Sequence, residues 1–143
     1  MTTNTEPILP TTHDPKVETM AAGYAAFSRG DIGGVLDLLA DDIDWAAEPA
    51  SSSAPWYGSF RGKAGAQAFF EQMVAVIEIT DFTPVAYGSN DSDVFAIVRW
   101  AYTVRATGRT VEMHLHHWWR FADGKIVRFR GAEDSEQSVS ALR

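Results

Sequence analysis

Apolar residues at helical spacing through the first half of the chain, followed by two-residue alternation in the last third, predict an α+β fold. The turn sequences ATGR and ADGK separate the alternating segments, so those strands should form an antiparallel meander. At 143 residues the chain fits one domain, large enough to bury a core with a cavity.

Residues 1–13 are rich in Thr and Pro without periodicity and read as a disordered arm, leaving 14–143 as the single domain. Asp14-Pro15 supplies an N-cap and an N1 proline for a first helix, on which Val17, Met20, Tyr24 and Phe27 form one apolar stripe. DIGGVLDLLADD predicts a second helix with Ile32, Val35, Leu36 and Leu39 on one face, weakened by Gly33-Gly34 at about 1 kcal/mol per glycine. IDWAA reads as a strand, and EPASSSAPWYGSFRG as a polar loop able to overhang a pocket. AGAQAFFEQMVAVI carries Phe69, Phe70, Met73 and Ile77 at helical spacing and predicts a third helix. Strands are then expected at roughly 93–106, 110–121 and 126–133.

Composition excludes several classes of function. Twelve basic residues face nineteen acidic ones, and residues 31–59 hold Asp31, Asp37, Asp41, Asp42, Asp44 and Glu48 but no Lys or Arg. Such a surface should repel phosphate backbones and anionic lipids, so neither nucleic acid nor membrane is an expected partner. With no cysteine there is no disulfide, thiolate metal site or thiol nucleophile, and no apolar run approaches the roughly 20 residues of a membrane span. A cytoplasmic protein is expected.

Alternation decides which strand faces look inward. Over 94–104 the even positions Val94, Ala96, Val98, Trp100, Tyr102 and Val104 are apolar or aromatic. Over 111–121 the odd positions Val111, Met113, Leu115, His117, Trp119 and Phe121 are the inner set, which makes His117 the one ionisable side chain on an apolar face. Glu112, His114 and His116 lie opposite, facing outward with no fourth ligand, so no metal site is expected despite their number. Trp118 on that outer face suits a homodimer contact.

The phrases YAAFSRGD, LLADDIDW, YGSFRGKAGAQAFF and HHWWRFADGKIVRF, within residues 15–134, resemble the SnoaL-like branch of the nuclear transport factor two-like superfamily. The resemblance implies a cone: three N-terminal helices packed in a strongly bent, mostly antiparallel sheet around one deep apolar cavity, commonly dimeric through the sheet's outer face. It also implies small-molecule chemistry of the polyketide cyclase or ketosteroid isomerase kind, although the same fold serves non-catalytic binding and assembly domains. His117 matches the cyclase histidine and the oxyanion-stabilising acid of the isomerases. The cyclase carboxylate falls on Gly131, the isomerase base on Ala47, and the isomerase tyrosine on Gly23, next to Tyr24.

These residues give the expected site. His117 polarises a carbonyl or shuttles a proton, Glu133 serves as the base, with Asp134 or Glu48 as further candidates, and no cofactor is required. Glu133 reads equally as an exposed acid at a strand end, and Asp134 more readily as an N-cap for a terminal helix through Gln137. Tyr24, Trp45, Trp56, Tyr57, Trp100, Tyr102, Trp119 and Phe129 would enclose a small apolar carbonyl compound, polyketide- or steroid-like in character. The competing reading is a ligand-binding or dimeric assembly domain in which His117 is merely hydrogen-bonded.

Overall fold

The computed structural model describes residues 14–48 and 51–143, so the expected arm over 1–13 lies outside the described residues. Four helices and six strands follow one another: α1 Pro15–Ser28, α2 Ile32–Leu36, β1 Leu39–Ala47, β2 Gly58–Arg61, α3 Gly62–Val76, β3 Ile77–Ser89, β4 Asp93–Val104, β5 Thr110–Ala122, β6 Lys125–Ala132 and α4 Ser135–Leu142. The strands form one sheet in the order β2-β1-β6-β5-β4-β3. All neighbours are antiparallel except β1 and β6, which run parallel. The sheet does not close on itself; β2 and β3 are its edges. Helices α1 and α3 pack against the inner face and α4 against β5. No helix among the described residues is long and apolar enough to cross a membrane.

Local chemistry accounts for the elements read correctly. Asp14 caps α1 by accepting from the Lys16 amide, with Pro15 at the first helical position. Asp123 and Gly124 both adopt positive φ, 51° and 76°, as a two-residue hairpin between β5 and β6 demands. In β4 every even position from Val94 to Val104 is buried, and in β5 so are Val111, Met113, Leu115 and Trp119.

Four readings need correction. The second helix ends at Leu36, and Leu39 instead begins β1, where its side chain is 1% exposed. Two glycines in five residues leave α2 little propensity to continue. Ile77, expected to end the third helix, instead opens the 13-residue strand Ile77–Ser89, where no strand is expected from the sequence. Its register shifts twice, between Ile79 and Asp81 and between Pro84 and Ala86, which breaks the two-residue period; as an edge strand it can also hold Pro84. Gly58–Arg61, read as loop, pairs with the end of β1 as a second edge. In β6, Ile126 rather than Val127 faces the core, because a register shift opposite Arg120 and Phe121 reverses the parity expected from Phe129.

Candidate active site

An apolar cavity of about 70 Å³ lies between the helices and the sheet. Rings of Tyr24, Trp45, Trp56, Trp100, Trp119 and Phe129 line it, as do Phe27, Phe69, Phe70 and Phe82. A water needs roughly 10–15 Å³ of such space, so the hollow suits a compact, flat molecule of one or two rings. The aromatic wall is rigid because it is mutually packed: Trp45, Trp119 and Phe129 form a cluster with ring centroids 4.3–5.6 Å apart. Tyr57 and Tyr102, expected as lining residues, stand behind the wall rather than in it, where each serves a hydrogen-bond network.

Two polar side chains reach the cavity from the sheet. His117 projects from β5, and Glu133 follows the end of β6. The strand pairing sets Gly131 opposite His117, which places Glu133 two residues, roughly 7 Å, farther along the same strand direction. Gly131 itself has no room for a side chain: a Cβ there would stand 2.8 Å from Phe129 Cζ and 3.6 Å from His117 Cδ2. The carboxylate position of the cyclases is thus filled by the Phe129 ring, and the nearest acid in the cavity is one pleat beyond.

The His117 ring is held from one side. Tyr24 Oη lies 2.7 Å from His117 Nδ1, and Trp119 Nε1 donates to the same hydroxyl at 2.9 Å. Tyr24 is buried, and burial raises its hydroxyl well above the ordinary range. Burial, helped by the neighbouring His116, lowers His117 to about 3, so the imidazole is neutral at physiological pH. Its residual exposure is toward the cavity and a groove on the other side of the sheet.

Glu133 is held from three sides. Trp56 Nε1 donates to Oε1 at 2.7 Å, and Tyr57 Oη donates to Oε2 at 3.0 Å. Ser138 of α4 also donates to Oε2, while its own oxygen accepts from Tyr102 Oη at 2.7 Å. Burial raises the Glu133 carboxyl, and these donors pull it back down without cancelling the rise. A carboxylate has about four lone-pair sites. Three are occupied by described residues, and the one they leave vacant is on Oε1.

The remaining candidates fall elsewhere. Asp134 caps α4, its side chain accepting from both the backbone and side-chain nitrogens of Gln137, exposed and outside the cavity. Glu48 is exposed and borders the groove on the opposite side of the sheet with Phe95, His116 and Arg130. Glu112, His114 and His116 are exposed on that opposite side, and no group of three His, Cys, Asp or Glu among the described residues is placed to hold a metal ion. Trp118 is half-buried there, donating to Asp93, whose carboxyl Arg120 and this indole hold well below the usual range. Sequence reasoning missed Ser138 and the lining residues Met20, Phe82 and Ile126; the last two were hidden by strand irregularities, and no local signal marks Ser138. The indole N–H groups of Trp45 and Trp100, both on the cavity wall, are buried with no acceptor among the described residues.

Comparison with known proteins returns a consistent picture. The sequence profile of the SnoaL-like domain matches residues 20–129. A nuclear transport factor two-like protein of unknown function from Burkholderia pseudomallei superposes with a TM-score of 0.83 at 25% identity, covering 90% of this chain and 98% of that one. TerC, co-crystallised with polyporic acid, superposes at 0.79 with 23% identity, covering 90% and 98%. A candidate polyketide cyclase from Xanthomonas campestris superposes at 0.73 with 19% identity, covering 89% and 96%. The latter two likenesses are of fold. No curated protein matches the sequence.

Proposed function

The chain belongs to the SnoaL-like domain family, and from that premise we propose that it is a cofactor-free acid/base enzyme acting on a small apolar carbonyl compound. The observation that carries this reading is the presence, on one cavity wall, of a neutral histidine and a half-buried carboxylate with a lone pair that no described residue occupies. Glu133 takes the proton from the carbon next to the carbonyl, the C–H electron pair moves into the C–C bond, and the carbonyl oxygen gains charge. His117 donates a hydrogen bond to that oxygen from Nε2. The raised carboxyl makes Glu133 a stronger base than an exposed glutamate, and the lowered imidazole makes His117 a donor rather than a proton shuttle. Return of the proton to another carbon gives isomerisation, attack of the enolate on a second carbonyl gives cyclisation, and loss of a β-hydroxyl as water gives dehydration. Fold neighbours bearing the names of cyclase and isomerase, and one crystallised with polyporic acid, support the class of chemistry. A ligand oxygen reaching Trp45 or Trp100 would also relieve a buried N–H that costs about 1–3 kcal/mol unpaired.

The protein is further proposed to act as a homodimer. Phe95, 43% exposed, joins His116 and the half-buried Trp118 along the groove opposite the cavity, and an apolar ring in that setting favours a partner surface. Sedimentation showing a monomer at micromolar concentration would sink this part.

Proton abstraction can be tested before the substrate is known. In D₂O, the full chain should catalyse exchange of the α-hydrogens of flat one- or two-ring ketones such as 1-indanone, followed by proton NMR. Aryl ketones that raise the melting temperature yet exchange no faster than in buffer would favour the ligand-binding reading instead.

A further inference from the structure

The role of Tyr24 is open to a sharper reading than that of a ring lining the cavity. Its hydroxyl has one proton and two lone pairs. Trp119 Nε1, a donor only, occupies one lone pair at 2.9 Å. The remaining contact is His117 Nδ1 at 2.7 Å, short enough that one of the two groups carries the proton between them.

The two assignments are not equivalent. If His117 Nδ1 carried the proton, Tyr24 Oη would accept from both His117 and Trp119, and its own O–H would be a buried donor with no acceptor among the described residues. If Tyr24 donates, the buried hydroxyl is satisfied and the ring proton sits on Nε2, which has no protein partner among the described residues but, unlike that hydroxyl, is not fully buried. Satisfying buried donors decides between tautomers when nothing else does. The stacked Tyr24 and His117 rings, 5.8 Å apart at 12°, and the Trp119 ring set edge-on to both, fix the three groups in this order.

We infer that Trp119, Tyr24 and His117 form a one-way chain of donors that fixes His117 as its Nε2–H tautomer, with Tyr24 as a positioning residue whose hydroxyl acts on the substrate only through His117. Each link points the same way: indole N–H to phenol oxygen, phenol O–H to Nδ1, Nε2–H to the substrate oxygen. When that oxygen gains charge, Nδ1 becomes more basic and draws the Tyr24 proton closer, and the Tyr24 oxygen in turn draws on Trp119. The chain strengthens cooperatively without any proton changing owner. Tyr24→Phe would keep the ring and break the chain at its centre.

The inference rests on His117 acting as the oxygen-side donor, but its first test does not. Long-range proton–nitrogen correlation NMR of the full chain with nitrogen-15 histidine reads the tautomer directly, with no substrate present. His117 should show an unprotonated Nδ1 and a protonated Nε2; the reverse overturns the inference whatever the protein catalyses. In Tyr24→Phe the tautomer should become mixed or reverse, because nothing then occupies Nδ1. The second readout uses 4-nitrophenol, whose ionised oxygen imitates an enolate, against 4-nitrotoluene, which has the same ring without the oxygen. Tyr24→Phe should weaken 4-nitrophenol about 5- to 10-fold and leave 4-nitrotoluene unchanged. Equal loss for both ligands, or none for either, overturns the positioning role. Trp119→Phe, which removes only the first donor, should weaken 4-nitrophenol by less than Tyr24→Phe; if Tyr24→Phe does not fold, Trp119→Phe is compared with wild type alone, and undiminished affinity for 4-nitrophenol would overturn the chain. A correct tautomer in a wild-type protein that prefers 4-nitrotoluene would retire the proposed chemistry and leave the tautomer assignment standing.

Discussion

His117 and Glu133 share one cavity and are both shifted by burial, yet their surroundings are built in opposite senses. Around His117 the donors, in the inferred tautomer, run in series, each passing to the next, and the series ends in an N–H that no described residue accepts. Around Glu133 the donors converge from Trp56, Tyr57 and Ser138, and what is left over is a lone pair that no described residue occupies. Burial alone would have made both groups neutral and inert. The direction of the hydrogen bonds turns one into a donor and keeps the other available as an acceptor, which is how two titratable groups with separated roles arise in one apolar hollow.

The sharpest way to break this contrast is at Glu133. Glu133→Gln keeps the shape but removes the base, and α-hydrogen exchange should fall by roughly 100- to 10,000-fold. An exchange rate within a few fold of wild type would remove Glu133 from the chemistry. Next in size is His117→Phe, which should lower exchange by roughly 100- to 1000-fold while the protein still unfolds cooperatively. Loss of melting temperature with intact affinity for 4-nitrophenol would mean that His117 only fills the wall.

Gly131→Ala probes the space between the two groups. The new Cβ presses on Phe129, which Trp45 and Trp119 pin in place, so a destabilisation of about 1–3 kcal/mol is expected in chemical denaturation. No change in midpoint would show that Phe129 yields easily and that the pleat could hold a carboxylate after all.

A further prediction concerns pH. His117 is lowered to about 3 in the folded protein from an ordinary 6.5, so below pH 6.5 the unfolded chain takes up a proton that the folded one refuses. Stability from this group is therefore present above 6.5 and declines as pH falls toward 3. Asp93, also lowered, adds its own loss only below the ordinary carboxylate range. Melting curves of wild type and His117→Phe should diverge in slope between pH 6.5 and about 4; parallel curves would mean that the imidazole titrates as if in water.

Much of this was legible along the chain. The two-residue period of β4 and β5 is a local property of the backbone, and it alone put His117 on the inner face and His114 and His116 on the outer one. The cap at Asp14 and the Asp123-Gly124 turn were equally local. The edge strands were not, because β2 is four residues long and β3 carries Pro84 and two register shifts, so their identity comes from the partners they pair with. Within the site, Glu133 could be placed beyond Gly131 by counting, but whether it was a solvated acid or a cavity carboxylate was undecided. That was settled by Trp56 and Tyr57, reaching it from more than seventy residues away, and by Ser138, whose helix folds back over β5. The same holds for Tyr24 and His117, 93 residues apart in sequence and 2.7 Å apart in space. Periodicity fixes which way a side chain points; the contacts that set its protonation and the direction of its hydrogen bonds come from distant segments, and only the folded chain brings those together.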